Sequence, residues 1–379
     1  MKIMIAVTHL LGTGHLTRAL TLARAFAAEG HASTVVTGGM PAPHLDSTNV
    51  SLVQLPPLRS DGVNFTRLLN AEGLDAGEEV MQARMQALEV TLHDLRPDVL
   101  ITELFPFGRR VLRAEFLHLL TCAATQLKRP LICASVRDIL APPSKPEKAH
   151  ATENIITSHY DAVLVHSDRA ITPLNISWPV TETLEDYLDY TGFVAPPAPA
   201  PHPHHLGSGE ILVSAGGGDV GTDLFAAALD AARRDPARSW RLLIGGTNAQ
   251  SRVAALQVDA PTNVVIEPAR PDFRHMLHHA AASISMAGYN TALDLLQTGT
   301  PAVFVPFDAG GEVEQSLRAK ALAALPGISV LPTAQLSGDA LLHHLAQVMT
   351  APQRSPQTNA LDGARKTVEI VETLVSARR

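Results

Sequence analysis

The stretch that decides the fold is SISMAGYNTALDLLQTGTPAVFVPF, residues 283–307. An apolar strand runs into Gly288, Tyr289-Asn290-Thr291 opens a helix, and a second buried strand follows at 302–305. A helix that begins against a strand end presents backbone N–H groups without intrahelical acceptors and the positive end of its dipole. That is a place to hold a phosphate. Asp294 lies one turn into the helix, within reach of a sugar hydroxyl. The stretch reads as a site for a nucleotide attached to a sugar, with Ser285 and Gly288 to Thr291 at its centre.

Working outward, the same alternation of strand and helix fills the chain. The expected strands up to and including the one that opens the stretch are 3–7, 33–37, 99–102, 131–134, 162–165, 211–213, 241–244, 264–266 and 282–285. Expected helices fall near 16–29, 76–94, 109–127, 221–234 and 272–281. Apolar β-branched runs between amphipathic helices mean parallel sheets covered on both faces. The fold class is therefore α/β, with two doubly wound, Rossmann-like domains. The boundary is APPAPAPHPHHLGSG, 195–209, whose proline density forbids a helix or a central strand and gives a stiff connection. The expected division is 1–194, the linker 195–209, then 210–356. A last helix at 357–379 could return to the first domain.

Composition sets the outer limits. A chain of 379 residues makes two domains the default. Its net charge of −7 argues against a general nucleic-acid binder, which needs a basic face. Cys122 and Cys133 both sit among apolar neighbours and read as reduced, buried thiols. MKIMIAVTHL is too short for a signal-peptide core and reads as the first strand. No run approaches the roughly 20 apolar residues of a membrane span. A cytoplasmic location is expected, with peripheral membrane contact left open.

Two glycine loops precede helices. In LLGTGHLTRAL, 10–20, Gly12 and Gly14 permit a tight turn, but Thr17 stands where a dinucleotide fingerprint needs its third glycine. His15 begins the helix. It can act as base toward an acceptor hydroxyl, or simply cap and pack. In ILVSAGGGDVGTDL, 211–224, Gly216, Gly217 and Gly218 suit a diphosphate or a close-lying sugar. Neither following strand ends in a ribose carboxylate, which disfavours a NAD enzyme, and no GK[ST] follows either loop. Arg270, in a proline-rich turn, could meet a phosphate, with Asp272 as the alternative helix cap. Glu314 and Gln315 could each take sugar hydroxyls, or form an acidic first turn. In the N-terminal half, Glu103 is a second candidate base. Arg18, Phe107, Arg109 and Arg137 are candidates for the acceptor side. His202, His204 and His205 have no cysteine or carboxylate partner in sequence and read as incidental, exposed histidines.

GTGHLTRALTLARAF, the proline-rich linker, SAGGG, SMAGYNTALDLLQTGTPAVFVPF and EQSLRA together resemble the MurG-like glycosyltransferases of the GT-B fold. The GxGHxxR form also resembles the related UDP-sugar hydrolase of pseudaminic acid synthesis. The resemblance implies two domains facing across a cleft, and a nucleotide sugar, most simply a UDP-sugar, held by the C-terminal domain. It implies an acceptor on the N-terminal domain and transfer without a metal or other cofactor. Gly288 and Thr291 would border the diphosphate and Asp294 would hold the ribose. Glu314-Gln315 stands where the family has a Gln-Gln pair that reads the donor sugar, and His15 matches the family histidine. The expected activity is sugar transfer to an unassigned acceptor. The rivals are hydrolysis or epimerisation of the same nucleotide sugar, and non-catalytic nucleotide-sugar binding.

Overall fold

The structure is a computed structural model that describes residues 1–61, 67–356 and 359–378. The chain forms two compact units, Met1–Val194 with Asp362–Arg379, and Ala195–Leu361.

The first unit is built on β1 (Lys2–Val7), β2 (Ala32–Gly39), β3 (Ser51–Ser60), β4 (Leu68–Leu69), β5 (Val99–Glu103), β6 (Leu131–Arg137), β7 (Ala162–His166) and β8 (Leu188–Tyr190). They order as β4-β3-β2-β1-β5-β6-β7-β8, parallel except for the β3–β4 pair. Strand alternation sends Ile3, Ile5 and Val7 into one apolar layer with Leu16, Leu20 and Phe26 of α1 (Gly14–Ala28). Met4 and Ala6 face the other layer, with Leu88 and Leu92 of α2 (Glu78–Leu95) and Phe116 of α3 (Arg113–Ala124). Burial on both faces explains why these strands read as continuous apolar runs. Arg84 of α2 is fully buried and reaches Glu115 of α3 through Nε at 2.6 Å and Nη2 at 2.8 Å. The pair fixes the two helices to each other. Two further helices, α4 (Pro146–His159) and α5 (Glu182–Glu185), complete the wrap.

The second unit has β9 (Ile211–Ser214), β10 (Trp240–Ile244), β11 (Val264–Pro268), β12 (Ala282–Ser285), β13 (Ala302–Phe304) and β14 (Ile328–Val330). All are parallel, in the order β11-β10-β9-β12-β13-β14. Its helices are α6 (Thr222–Arg234), α7 (Ala249–Gln257), α8 (Phe273–Met276), α9 (Tyr289–Thr298), α10 (Glu314–Leu322) and α11 (Gly338–Thr350). The last helix, α12 (Gly363–Ala377), packs against α1 in the first unit. Its expected start at 357 falls outside the described residues.

The structure departs from the expected elements at several points. β3 runs through Pro56 and Pro57, because its ladder to β2 shifts register between Thr37 and Gly39 and spares the missing N–H groups. α4 and α11 were not expected, although Pro146 sits in the first turn of α4 and the Ser337 hydroxyl accepts from the Ala340 N–H at the start of α11. The helix expected at 272–281 shrinks to α8 and a 3-10 turn, Leu277–His279. The proline-rich segment lies on the second unit. Arg274 donates to the Pro197 carbonyl at 3.0 Å, Gln297 to Pro196 at 2.7 Å, and His275 to Ala200 at 2.7 Å. His202 is buried and pairs with Asp272 at 3.0 Å, so it is not the incidental exposed histidine expected, whereas His204 and His205 are exposed.

Candidate active site

Each sheet reverses its winding once, between β1 and β5 in the first unit and between β9 and β12 in the second. Ligands of open α/β sheets bind beyond the strand ends at such a reversal. The sequence candidates collect at these two places.

In the first unit the turn after β1 carries Gly12, at φ 65°, and Gly14, and a side chain added at either would meet open space. His15 follows in the first turn of α1. Glu103 is the last residue of β5, the parallel neighbour of β1, so strand register alone brings it near the His15 turn. The His15 Nδ1–H donates to Glu103 Oε1 at 3.0 Å. Glu103 is 1% exposed and also takes the Arg18 guanidinium. Its other oxygen accepts from the Ser135 hydroxyl at 2.5 Å. Ser135 in turn accepts from the His166 Nε2–H at 2.9 Å, and His166 Nδ1 faces the Thr191 hydroxyl at 2.9 Å. Ser135, His166 and Thr191 are fully buried.

The electrostatics assign the roles. Burial would raise the Glu103 carboxyl, but the Arg18 charge and the His15 hydrogen bond outweigh it and hold the group well below the usual carboxylate range. Burial pulls His15 down to about 4, and Arg18 adds to the fall while Glu103 opposes it. His15 is therefore neutral at pH 7, with Nδ1 carrying the proton and Nε2 free to accept one. Burial likewise holds His166 at about 3, so it is neutral too.

This geometry corrects several expectations. Glu103 is not a reserve base: a carboxylate so stabilised and so enclosed orients the imidazole instead. Arg18 belongs to Glu103 rather than to an acceptor. Phe107 is 3% exposed and packs edge-on against Trp178, with centroids 5.1 Å apart, so it is core. Arg109 does lie at the strand ends, in a left-handed turn at φ 57°, where its Nε donates to the Thr8 carbonyl at 2.7 Å. Burial lowers its guanidinium to about 10. Arg137, half-buried at the end of β6, adds positive charge beside Arg109.

In the second unit, Ser214 of β9 and Ser285 of β12 are register partners, and the glycine loop and α9 follow them. The Ser285 hydroxyl is buried without a hydrogen-bond partner among the described residues. Gly216 and Gly217 face open space on one side. On the other, Gly245 could not bear a Cβ, which would lie 2.1 Å from the Gly216 carbonyl. The loop is thus anchored from below and bare above. Gly288 caps α9 with no side-chain hydrogen bond, and a Cβ there would also meet nothing. Tyr289 and Thr291 are half-exposed and Asn290 is exposed. The α9 start is an open helix N-terminus.

Here too the structure reassigns residues. Asp294 is buried, and its Oδ1 accepts from Arg274 Nε at 2.5 Å. Burial raises its carboxyl against the pull of Arg274. It ties α9 to α8 and, through Arg274, to the proline-rich segment. Arg270 is held by Asp272 at 2.7 and 2.8 Å rather than offered to a phosphate. Asp272, so engaged, makes no side-chain cap on α8. Glu314 accepts from Arg318 at 2.9 Å, and the Gln315 carbonyl oxygen accepts from the Phe307 N–H at 3.1 Å. Arg318, unforeseen, is 2% exposed, donates to the Ala287 carbonyl at 2.9 Å and lies 5.5 Å from the Tyr289 ring centre. It holds the turn that opens α9. Its sequence signal was the Glu314–Arg318 spacing of one helical turn.

A glycine turn at the winding reversal of each of two doubly wound sheets is the pattern of the GT-B fold, and solved structures agree. The calicheamicin glycosyltransferase CalG4 superimposes with TM-score 0.66 at 19% identity, over 99% of this chain and 98% of that one. MurG of Acinetobacter baumannii gives 0.62 at 16% identity, over 98% and 99%. Residues 212–374 match the glycosyltransferase family 28 C-terminal domain. The N-acetylglucosamine transferase acting on pyrophosphoryl-undecaprenol N-acetylmuramyl-(pentapeptide) in Prochlorococcus marinus is 32% identical over 161 residues, 42% of this chain and 43% of that protein. The chain thus spans less than half the length of the curated relatives it matches. It is similar to the MurG-like glycosyltransferases in fold and in its C-terminal domain. Among the described residues, no helix is long and apolar enough to cross a membrane.

Proposed function

We propose that this protein is a glycosyltransferase that moves a sugar from a nucleotide diphosphate, a UDP-sugar of the N-acetylglucosamine type, to an acceptor hydroxyl or amine. The observation that carries the reading is the His15–Glu103 pair, a neutral imidazole with a fixed tautomer at the winding reversal of the first unit. His15 Nε2 takes the acceptor proton. The acceptor atom bonds to the anomeric carbon as the bond to the diphosphate oxygen breaks, and the electron pair leaves with the diphosphate. The open start of α9 and the bare glycine loop receive that charge through backbone N–H groups, a preorganised stabilisation. Arg109 and Arg137 favour an acceptor that carries negative charge. The matched family domain and the transferase named among the relatives support this donor class.

The test is a thermal-shift screen across nucleotide sugars, followed by incubation of the stabilising one with and without candidate acceptors. A ligand of the native state raises the melting temperature. Release of UDP only when acceptor is present supports transfer. Rapid stoichiometric release without acceptor replaces transfer with hydrolysis, and stabilisation without turnover leaves a binding protein.

A further inference from the structure

Away from the strand ends, α2 and α3 bring together a set of side chains that the proposed reaction does not use. Glu89 projects from α2. His118 and Cys122 project from the same face of α3, four residues apart. His118 Nε2 lies 2.9 Å from Glu89 Oε2 and 3.6 Å from Cys122 Sγ, and all three donor atoms fall within 4.8 Å of one another. Cys122 is therefore not the purely apolar, buried thiol that its sequence neighbours suggest; it is half-buried beside an imidazole and a carboxylate.

We propose that Glu89, His118 and Cys122 form a site for a zinc-class transition-metal ion that staples α2 to α3. A tetrahedral ion with ligand bonds of about 2.0–2.3 Å needs donor atoms roughly 3.3–3.8 Å apart, close to the spacing already present. Small side-chain adjustments complete it. The donor set chooses the metal. One thiolate, one imidazole and one carboxylate suit zinc, whereas calcium and magnesium need several oxygen ligands and find a single carboxylate here.

The backbone beneath the site is firm, because Arg84 and Glu115 already lock the same two helices. On binding, the thiol gives its proton to solvent and His118 coordinates through Nε2. The fourth position opens toward a groove of about 640 Å³ that Glu89, His93 and Cys122 border. A water from that groove completes the set. The ion has no part in sugar transfer; it holds one helical layer of the first unit together.

The experiment is titration of the chelator-stripped full chain with zinc, and separately with cobalt, in the wild type and in Cys122→Ser, His118→Ala and a His343→Ala control. The control covers the adjacent His343 and His344, whose rings also lie close. One zinc per chain, a rise in melting temperature and a thiolate-to-cobalt charge-transfer band are expected. Cys122→Ser should abolish the band. His118→Ala should weaken zinc by more than the roughly 10–100-fold that loss of a supporting partner costs. His343→Ala should change nothing. All three substituted side chains are at least partly exposed, and circular dichroism checks that each variant folds. Absence of one-to-one binding at micromolar zinc, or binding undiminished in Cys122→Ser and His118→Ala, overturns the proposal.

Discussion

The two winding reversals of this molecule are equipped in opposite ways. At the first, between β1 and β5, the ground is filled: a histidine, a carboxylate, a serine and a second histidine form a buried chain of hydrogen bonds. At the second, between β9 and β12, the ground is bare: glycines, an open helix start and backbone N–H groups. A filled reversal with one free imidazole nitrogen suits proton transfer. A bare one suits an anion that brings its own charge. The same contrast separates two carboxylates paired with arginine. Glu103 is spent on orienting His15, while Asp294 is spent on holding the proline-rich segment.

The largest expected effect breaks the first half of the comparison. His15→Ala should lower kcat by about 10²–10⁴-fold while donor affinity stays near that of the wild type. Steady-state kinetics and donor titration read the two separately. The next breaks the second half. Gly288→Val keeps an ordinary backbone angle, since Gly288 sits at φ −61°, but places a branched side chain where the helix start is open. Donor binding should fall about 10–100-fold, the scale of losing one hydrogen bond to a charged group at roughly 1.5–3 kcal/mol, in a protein that still folds. Calorimetric titration with the donor checks it.

Smaller effects sharpen the contrast. Ser135→Ala removes one charge-assisted hydrogen bond from Glu103 and should cost about tenfold in kcat with KM unchanged. A merely structural serine would lower stability and leave kcat alone. Asp294→Asn should lower the melting temperature by a few degrees, about 1–2 kcal/mol, by releasing Arg274, and should leave donor affinity nearly intact. If donor affinity collapses instead, Asp294 is a donor ligand and the contrast between the two carboxylates fails.

Much of this was legible in the sequence, and the limits have physical causes. The strands read clearly because both faces of each sheet are buried, which makes them continuous apolar runs. The glycine turns and His15 read clearly because they lie within a few residues of a strand end. His166 and Thr191 did not read, because they join the chain from Glu103 through strand pairing, with partners 31 and 25 residues apart. Arg18 and Arg270 were misread for a related reason. A sequence shows a cation but not the carboxylate that claims it. Phe107 was misread because a loop aromatic can turn inward, and here Trp178 receives it. Proline density correctly excluded helix from 195–209 but could not show that its carbonyls would be taken by Arg274, Gln297 and His275.

The most direct measurement is the pH dependence of kcat/KM, which reports the groups of the free enzyme. Because burial holds His15 at about 4, below the ordinary 6.5, the imidazole stays unprotonated from neutral pH well into the acid range. Activity should therefore hold as pH falls and drop only near 4, and that limb should vanish with His15→Ala. An acid limb near 6.5, or one that survives His15→Ala, would contradict the assignment of His15 as the base.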